Sequence, residues 1–160
     1  MRTHDLEHTQ EEGFTLIELM IVVLLIGILI AIALPSFLGA RARANDRAAQ
    51  SNLRDALVAA KTLYADTSTY AAATAAGLLT IEPSLQTTNA ASTTAAPTVS
   101  VMTTPTALKW AAARMSVSGT CFGIQDTSAS GTRFDQAAAL TTTCTGDQVV
   151  TDAPAAIAWT

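Results

Sequence analysis

The chain has 160 residues, a net charge of −4 and two cysteines; 49% of its residues are hydrophobic, 14% charged and 5% aromatic. That charged fraction, against a usual quarter or so, excludes a polyampholyte tail or a solvated coiled coil. The acidic balance, with pI ≈ 4.9, gives no global electrostatic reason to bind nucleic acid. With 32 Ala and 25 Thr, large core-forming side chains are scarce, and they are unevenly spread.

Residues 1–13 are polar. Arg2 stands against Asp5, Glu7, Glu11 and Glu12, so a net of −3 sits here and only −1 of the total −4 belongs to the rest. His4 and His8 have the i, i+4 spacing of a helical metal pair, but a solvated segment is the simpler reading and no metal is expected.

Residues 14–34 are apolar except for Thr15 and Glu18. As a helix this run spans about 31 Å, the thickness of a bilayer's hydrocarbon core. It has no polar stripe, so it is not a surface helix. The rest of the chain holds too little Leu, Ile and Phe to bury it as a core helix. A secretory signal would have a basic start and an apolar stretch of about 7–15 residues. Ala40-Arg41-Ala42 offers a small-residue cut site, but the acidic start and the longer run point instead to a membrane span. Glu18 is the conspicuous residue, because a carboxylate inside a span costs about 2–4 kcal/mol on insertion scales and calls for a partner. Its nearness to the end of the span would alternatively let it snorkel to the interface.

Gly27 lowers helix propensity and Pro35 removes a backbone donor and crowds the preceding turn. Beyond Pro35, Leu53, Leu57, Ala60 and Tyr64 recur on one helix face, widened by Ala49, Ala56 and Leu63. The helix is expected to run to about Asp66, so residues 14–66 make about 80 Å of helix. Arg41, Arg43, Arg47 and Arg54 are interleaved with Asp46 and Asp55 and lack neighbouring aromatics, which reads as a solvated or interfacial helix face rather than a DNA site.

Residues 71–96, rich in Ala, Thr and Ser, read as a variable connection with a short helical piece near 71–79. The Thr/Pro tract at 93–98 reads as a plain low-complexity loop. Three strand candidates follow: 98–103, with Val99 and Val101 alternating; 107–118, whose apolar parity switches and so suggests a bulge or break near Arg114; and 120–125, with Phe122 and Ile124. A sheet of three or four antiparallel strands on the helix would bury Leu53, Leu57, Trp110 and Phe122. Cys121 and Cys144 are the only cysteines. In an exported domain with a thin core they read as a disulfide, and in a cytoplasmic protein as two buried thiols. Asp126, Asp135 and Asp147 lack calcium-loop spacing and read as surface aspartates. No nucleophile–base constellation, phosphate-cradling glycine loop or CxxC occurs. The chain reads as a non-enzyme without cofactors.

The stretch Gly13-Phe14-Thr15-Leu16-Ile17-Glu18-Leu19-Met20-Ile21-Val22-Val23 resembles the N-terminus of type IV prepilins and of the related pseudopilins. The resemblance is specific through about Tyr64 and architectural beyond it. It implies an α+β, pilin-like fold: leader 1–13, membrane and filament-core helix 14–35, amphipathic continuation 36–66, and a head over 67–160 with a disulfide loop 121–144. It implies cleavage between Gly13 and Phe14 by a prepilin peptidase, methylation of the Phe14 amine, and a contact of Glu18 with that amine on another copy. An assembly platform protein and an ATPase are implied partners, beside membrane lipid and other copies of the chain. Gly27 and Pro35 fall where pilins weaken the helix, and a late disulfide is likewise pilin-like. Counting Arg on either side of the span would keep the head in the cytoplasm, whereas the resemblance places it outside. The alternatives are a major pseudopilin of a secretion or DNA-uptake system, and a monomeric membrane-anchored surface binding protein.

Overall fold

The computed structural model describes residues 13–138, 144–151 and 159; the expectations for segment 1–12, His4 and His8 included, lie outside the described residues. The chain divides into two units, Met1–Gly39 and Ala40–Thr160. Helix α1, Leu16–Thr67, contributes to both. In the first unit α1 is apolar, with a mean hydropathy of 3.1 over an 18-residue window and no part of that window buried. Pro35 lies inside the helix and does not end it.

Within the second unit α1 has a buried stripe of Ala49, Leu53, Ala56, Ala59 and Ala60. The expected face is correct but centred slightly differently, since Leu57, Leu63 and Tyr64 are only partly buried beside it. The helix stops at Ser68, whose φ of 56° and N–H bond to the Tyr64 carbonyl (2.7 Å) make a left-handed cap without glycine. Next comes α2, Ala75–Ile81, whose N-cap Thr74 accepts from the Gly77 N–H at 3.1 Å.

Five strands follow: β1 Thr87–Thr88, β2 Val99–Val101, β3 Lys109–Met115, β4 Thr120–Thr127 and β5 Gly131–Ala138, in the spatial order β1-β2-β3-β4-β5. The sheet is mixed rather than purely antiparallel, because β1 and β2 pair in parallel. Strand β5, which carries no alternating apolar pattern in the sequence, pairs with β4 along its length through a short turn at Gly131, whose φ is 71°.

The expected bulge near Arg114 does not occur. The β3–β4 register runs unbroken from Lys109↔Thr127 to Met115↔Cys121. The parity switch has another cause, burial of both faces. Trp110, Ala112, Phe122 and Ile124 join the α1 side of the core. Ala111, Ala113 and Cys121 pack with Met102, Cys144 and Val149 on the other. A strand covered on both faces has no reason to alternate apolar with polar. The second cover is the short helix α3, Gly146–Thr151.

The connection between α2 and β2 is tied down despite its plain composition. Ser92 donates its N–H to the Cys144 carbonyl (2.9 Å), and its hydroxyl accepts from the Met115 N–H at 2.9 Å. Cys121 and Cys144 form a disulfide, which fastens the start of β4 to the segment that leads into α3.

Candidate assembly site

The residues that the sequence sets apart fall into two groups. Gly13, Phe14, Glu18, Gly27 and Pro35 are in the first unit, and Cys121 and Cys144 in the second. At the start of α1, Thr15 is the residue before the first helical position and Glu18 lies in the first turn. The Thr15 N–H and hydroxyl both donate to Glu18 Oε2 at 2.8 Å, and the Glu18 N–H donates to Thr15 Oγ1 at 3.3 Å. This is a reciprocal capping box, which satisfies two donors that a helix start would leave unpaired. The sequence signal for such a box is the T-x-x-E spacing of Thr15 and Glu18 before an apolar run, which is weaker than the run itself.

The cap uses only one carboxylate oxygen. Glu18 Oε1 makes no hydrogen bond among the described residues. The Thr15 N–H lies beyond the Gly13–Phe14 bond, so the box would outlast cleavage there. Around it the apolar side chains have no cover within the unit: Phe14 is 81% exposed and Ile32 73%. Gly13 and Gly27 also have open surroundings, since a Cβ built on either meets nothing within 4 Å. Among the described residues no packing contact requires glycine at these positions.

The second unit holds no comparable opening to chemistry. Asp126, expected at the surface, is 4% exposed. It accepts from the Tyr70 hydroxyl and from Thr132 Oγ1 (2.8 Å), and lies 3.6 Å from Lys61 Nζ. Asp147 accepts from the N–H and hydroxyl of Thr103 at 2.9 and 2.6 Å. Among the described residues no three potential metal ligands converge. Burial, helped by the bond to Asp126 and its charge, pushes the Tyr70 phenol well above the ordinary tyrosine range.

Residues 9–34 match the prokaryotic N-terminal methylation motif. The type IV major pilin protein PilA of Myxococcus xanthus is 46% identical over 61 residues, 38% of this chain and 28% of that protein. The type IV wide pilus major component PilA4 of Thermus thermophilus is 44% identical over 59 residues, 37% of this chain and 45% of its own length. In this N-terminal segment the chain is similar to type IV pilins. The similarity therefore spans less than half of either pilin. No solved structure matches the chain. The second unit is accordingly described from its own residues alone.

Proposed function

We propose that the chain is the precursor of a filament subunit, a type IV prepilin. A membrane peptidase removes residues 1–13, and the new Phe14 amine is methylated. The subunit waits in the cytoplasmic membrane with its head outside, then polymerises through residues 14–35 into an extracellular pilus. The assembly platform and its ATPase belong to this reading by family resemblance.

The observation that carries it is the coincidence of a wholly uncovered apolar helix with one carboxylate, Glu18, whose Oε1 is open. Apolar side chains with no cover in the subunit gain one from lipid first and from other copies later. Within such a bundle a carboxylate without a cation is strongly unfavourable. The Phe14 amine of another copy, generated four residues upstream by the cut, supplies that cation. A contact that forms only between correctly offset copies acts as a register check, because misplaced helices bury both charges alone. A plain membrane anchor needs neither the Gly13-Phe14 junction nor Glu18.

Glu18→Ala is the decisive variant. Processing of Glu18→Ala proceeds, leaving methylated Phe14 as the first residue by mass spectrometry, while filaments disappear from sheared cell-surface material. Abundant normal filaments from Glu18→Ala would remove Glu18 from assembly.

A further inference from the structure

The head half of α1 carries charges that the fold leaves unused. Arg54 lies over the Trp159 ring at 4.9 Å, and Lys61 is held by Thr132 and Asp126. Arg43 and Arg47 have no such partner among the described residues. They open onto a cleft of about 320 Å³ floored by Phe122 and Trp159 and flanked by Gln50 and Gln136. The one carboxylate in that cleft, Asp46, is already engaged as acceptor of the Ser118 hydroxyl. On the other flank of the helix Asp55 lines a second cleft, of about 270 Å³, beside Arg114. Asp55 forms no ion pair or hydrogen bond among the described residues.

These positions are related by helix geometry. Arg43 and Arg47 are one turn apart on one side of the buried stripe, and Asp55 lies about 80–120° further round on the other. Along the axis Asp55 is 8 residues past Arg47 and 12 past Arg43, about 12–18 Å. A parallel copy displaced by about 15 Å along the axis would set its Asp55 level with the space between the two guanidiniums. The two surfaces differ, so the contact is head-to-tail and propagates, as a helical polymer requires.

We infer that the Arg43–Arg47 cleft on the β5 side of one head receives Asp55 of a second copy, a neighbour displaced by about 15 Å and so a different one from the copy whose Phe14 amine meets Glu18 at about 6 Å. The inference rests on the filament reading. Bundling the apolar helices brings the arginine-rich stretches of several copies together only a few residues beyond Pro35. Without interleaved carboxylates those stretches repel one another. A nucleic acid is the less favoured occupant, because Asp46 and Asp55 interrupt the basic surface and the cleft floor is already closed by the Trp159 indole bonding to the Gly123 and Asp135 carbonyls (3.2 and 3.0 Å).

The test is a charge swap in the full chain, read as filament mass in sheared material. Processed subunit and disulfide content in the membrane report folding. Arg43→Glu/Arg47→Glu and Asp55→Arg, each alone, should leave processed, oxidised subunit in the membrane and lower filament yield at least about tenfold, since like charges then face each other across the interface. The combined swap should bring the yield back to within about threefold of the wild type, because repulsion is removed on both sides. Wild-type yields from either single reversal, or a combination no better than its parts, overturn the contact. Loss of duplex DNA retention by normally assembled Arg43→Glu/Arg47→Glu filaments also overturns it and assigns the cleft to an outside polyanion. If the wild-type chain makes no filaments at all, the filament reading and this contact fall together; once it does, the swap judges the contact alone.

Discussion

The two units of this chain solve the burial problem in opposite ways. In the first, Leu, Ile and Val are abundant and, among the described residues, none is covered. In the second, large apolar residues are few, and the head closes on itself with alanines, one disulfide and buried polar bonds. On the filament reading a residue of the first unit acts through something outside the chain, so its replacement should alter assembly and leave the head's stability alone. A residue of the second acts through its neighbours, and its replacement should first alter folding. Stability of the full chain in detergent, set beside filament yield, separates the two.

The largest expected loss of stability comes from the disulfide. The far side of the sheet has a small apolar cluster in which Cys121 and Cys144 are themselves members. Replacing both with Ser should cost about 3 kcal/mol through the freed loop alone, by the chain-entropy account, and should also unfasten α3 from the sheet. Denaturant unfolding under non-reducing conditions checks this. A midpoint equal to that of the wild type would show that α3 and the Ser92 bridge hold this side without the bond.

Close behind is Gly146→Ala. A Cβ there would lie 2.3 Å from the Met102 nitrogen and 2.9 Å from the Ala111 carbonyl oxygen, the two atoms of a strand hydrogen bond. Backbone atoms cannot step aside as a flexible side chain can, so a cost of about 1–3 kcal/mol follows from overpacking. Melting temperature in detergent should fall accordingly, while the start of α1 keeps its cap.

Next is the Tyr70–Asp126 pair. Tyr70 is 3% exposed and its hydroxyl donates to Asp126. Its folded pKa is raised above the unfolded value of about 10, so this contribution is complete below pH 10 and declines as pH rises beyond it. The head should lose stability progressively above about pH 10, where unfolding now releases the phenolic proton. Tyr70→Phe removes that part of the pH slope and costs about 1 kcal/mol at neutral pH. An unchanged alkaline slope in Tyr70→Phe would place its origin elsewhere.

The apolar part of α1 was legible as a helix in the sequence, because a run of 21 residues with one carboxylate needs no tertiary context to be recognised. What escaped there was Thr15, a local signal overlooked beside a louder one. The head was legible only where one face of an element is buried. Val99 and Val101 announced β2, and Leu53 marked the helix face. Strand β3 misled because α3 covers its second face, so Ala111 and Ala113 are as buried as Trp110. Strand β5 has one large apolar side chain, Phe134, among Thr132, Arg133, Asp135 and Gln136, and pairing with β4 rather than composition defines it. Asp126 read as a surface aspartate because its partners Tyr70 and Lys61 are more than 50 residues away in sequence.

The smallest expected effect on the subunit, Gly27→Ala, most sharply tests the division between the units. A methyl at residue 27 meets nothing within 4 Å, and α1 is helical through it. Exchanging Gly for Ala in a helix interior stabilises it by about 0.5–1 kcal/mol, chiefly by removing conformational freedom. The isolated subunit should therefore keep its head stability unchanged and hold its first unit slightly more firmly as helix. If the stretch between Gly27 and Pro35 unwinds in the filament, as the family resemblance suggests, the same methyl opposes that unwinding. Gly27→Ala filaments should then extend less under force than wild-type filaments, with equal yield at rest. Equal extensibility, or unbroken helical density at residues 27–35 of the wild-type filament, would mean that the helix passes intact from membrane to polymer and that Pro35 alone shapes it.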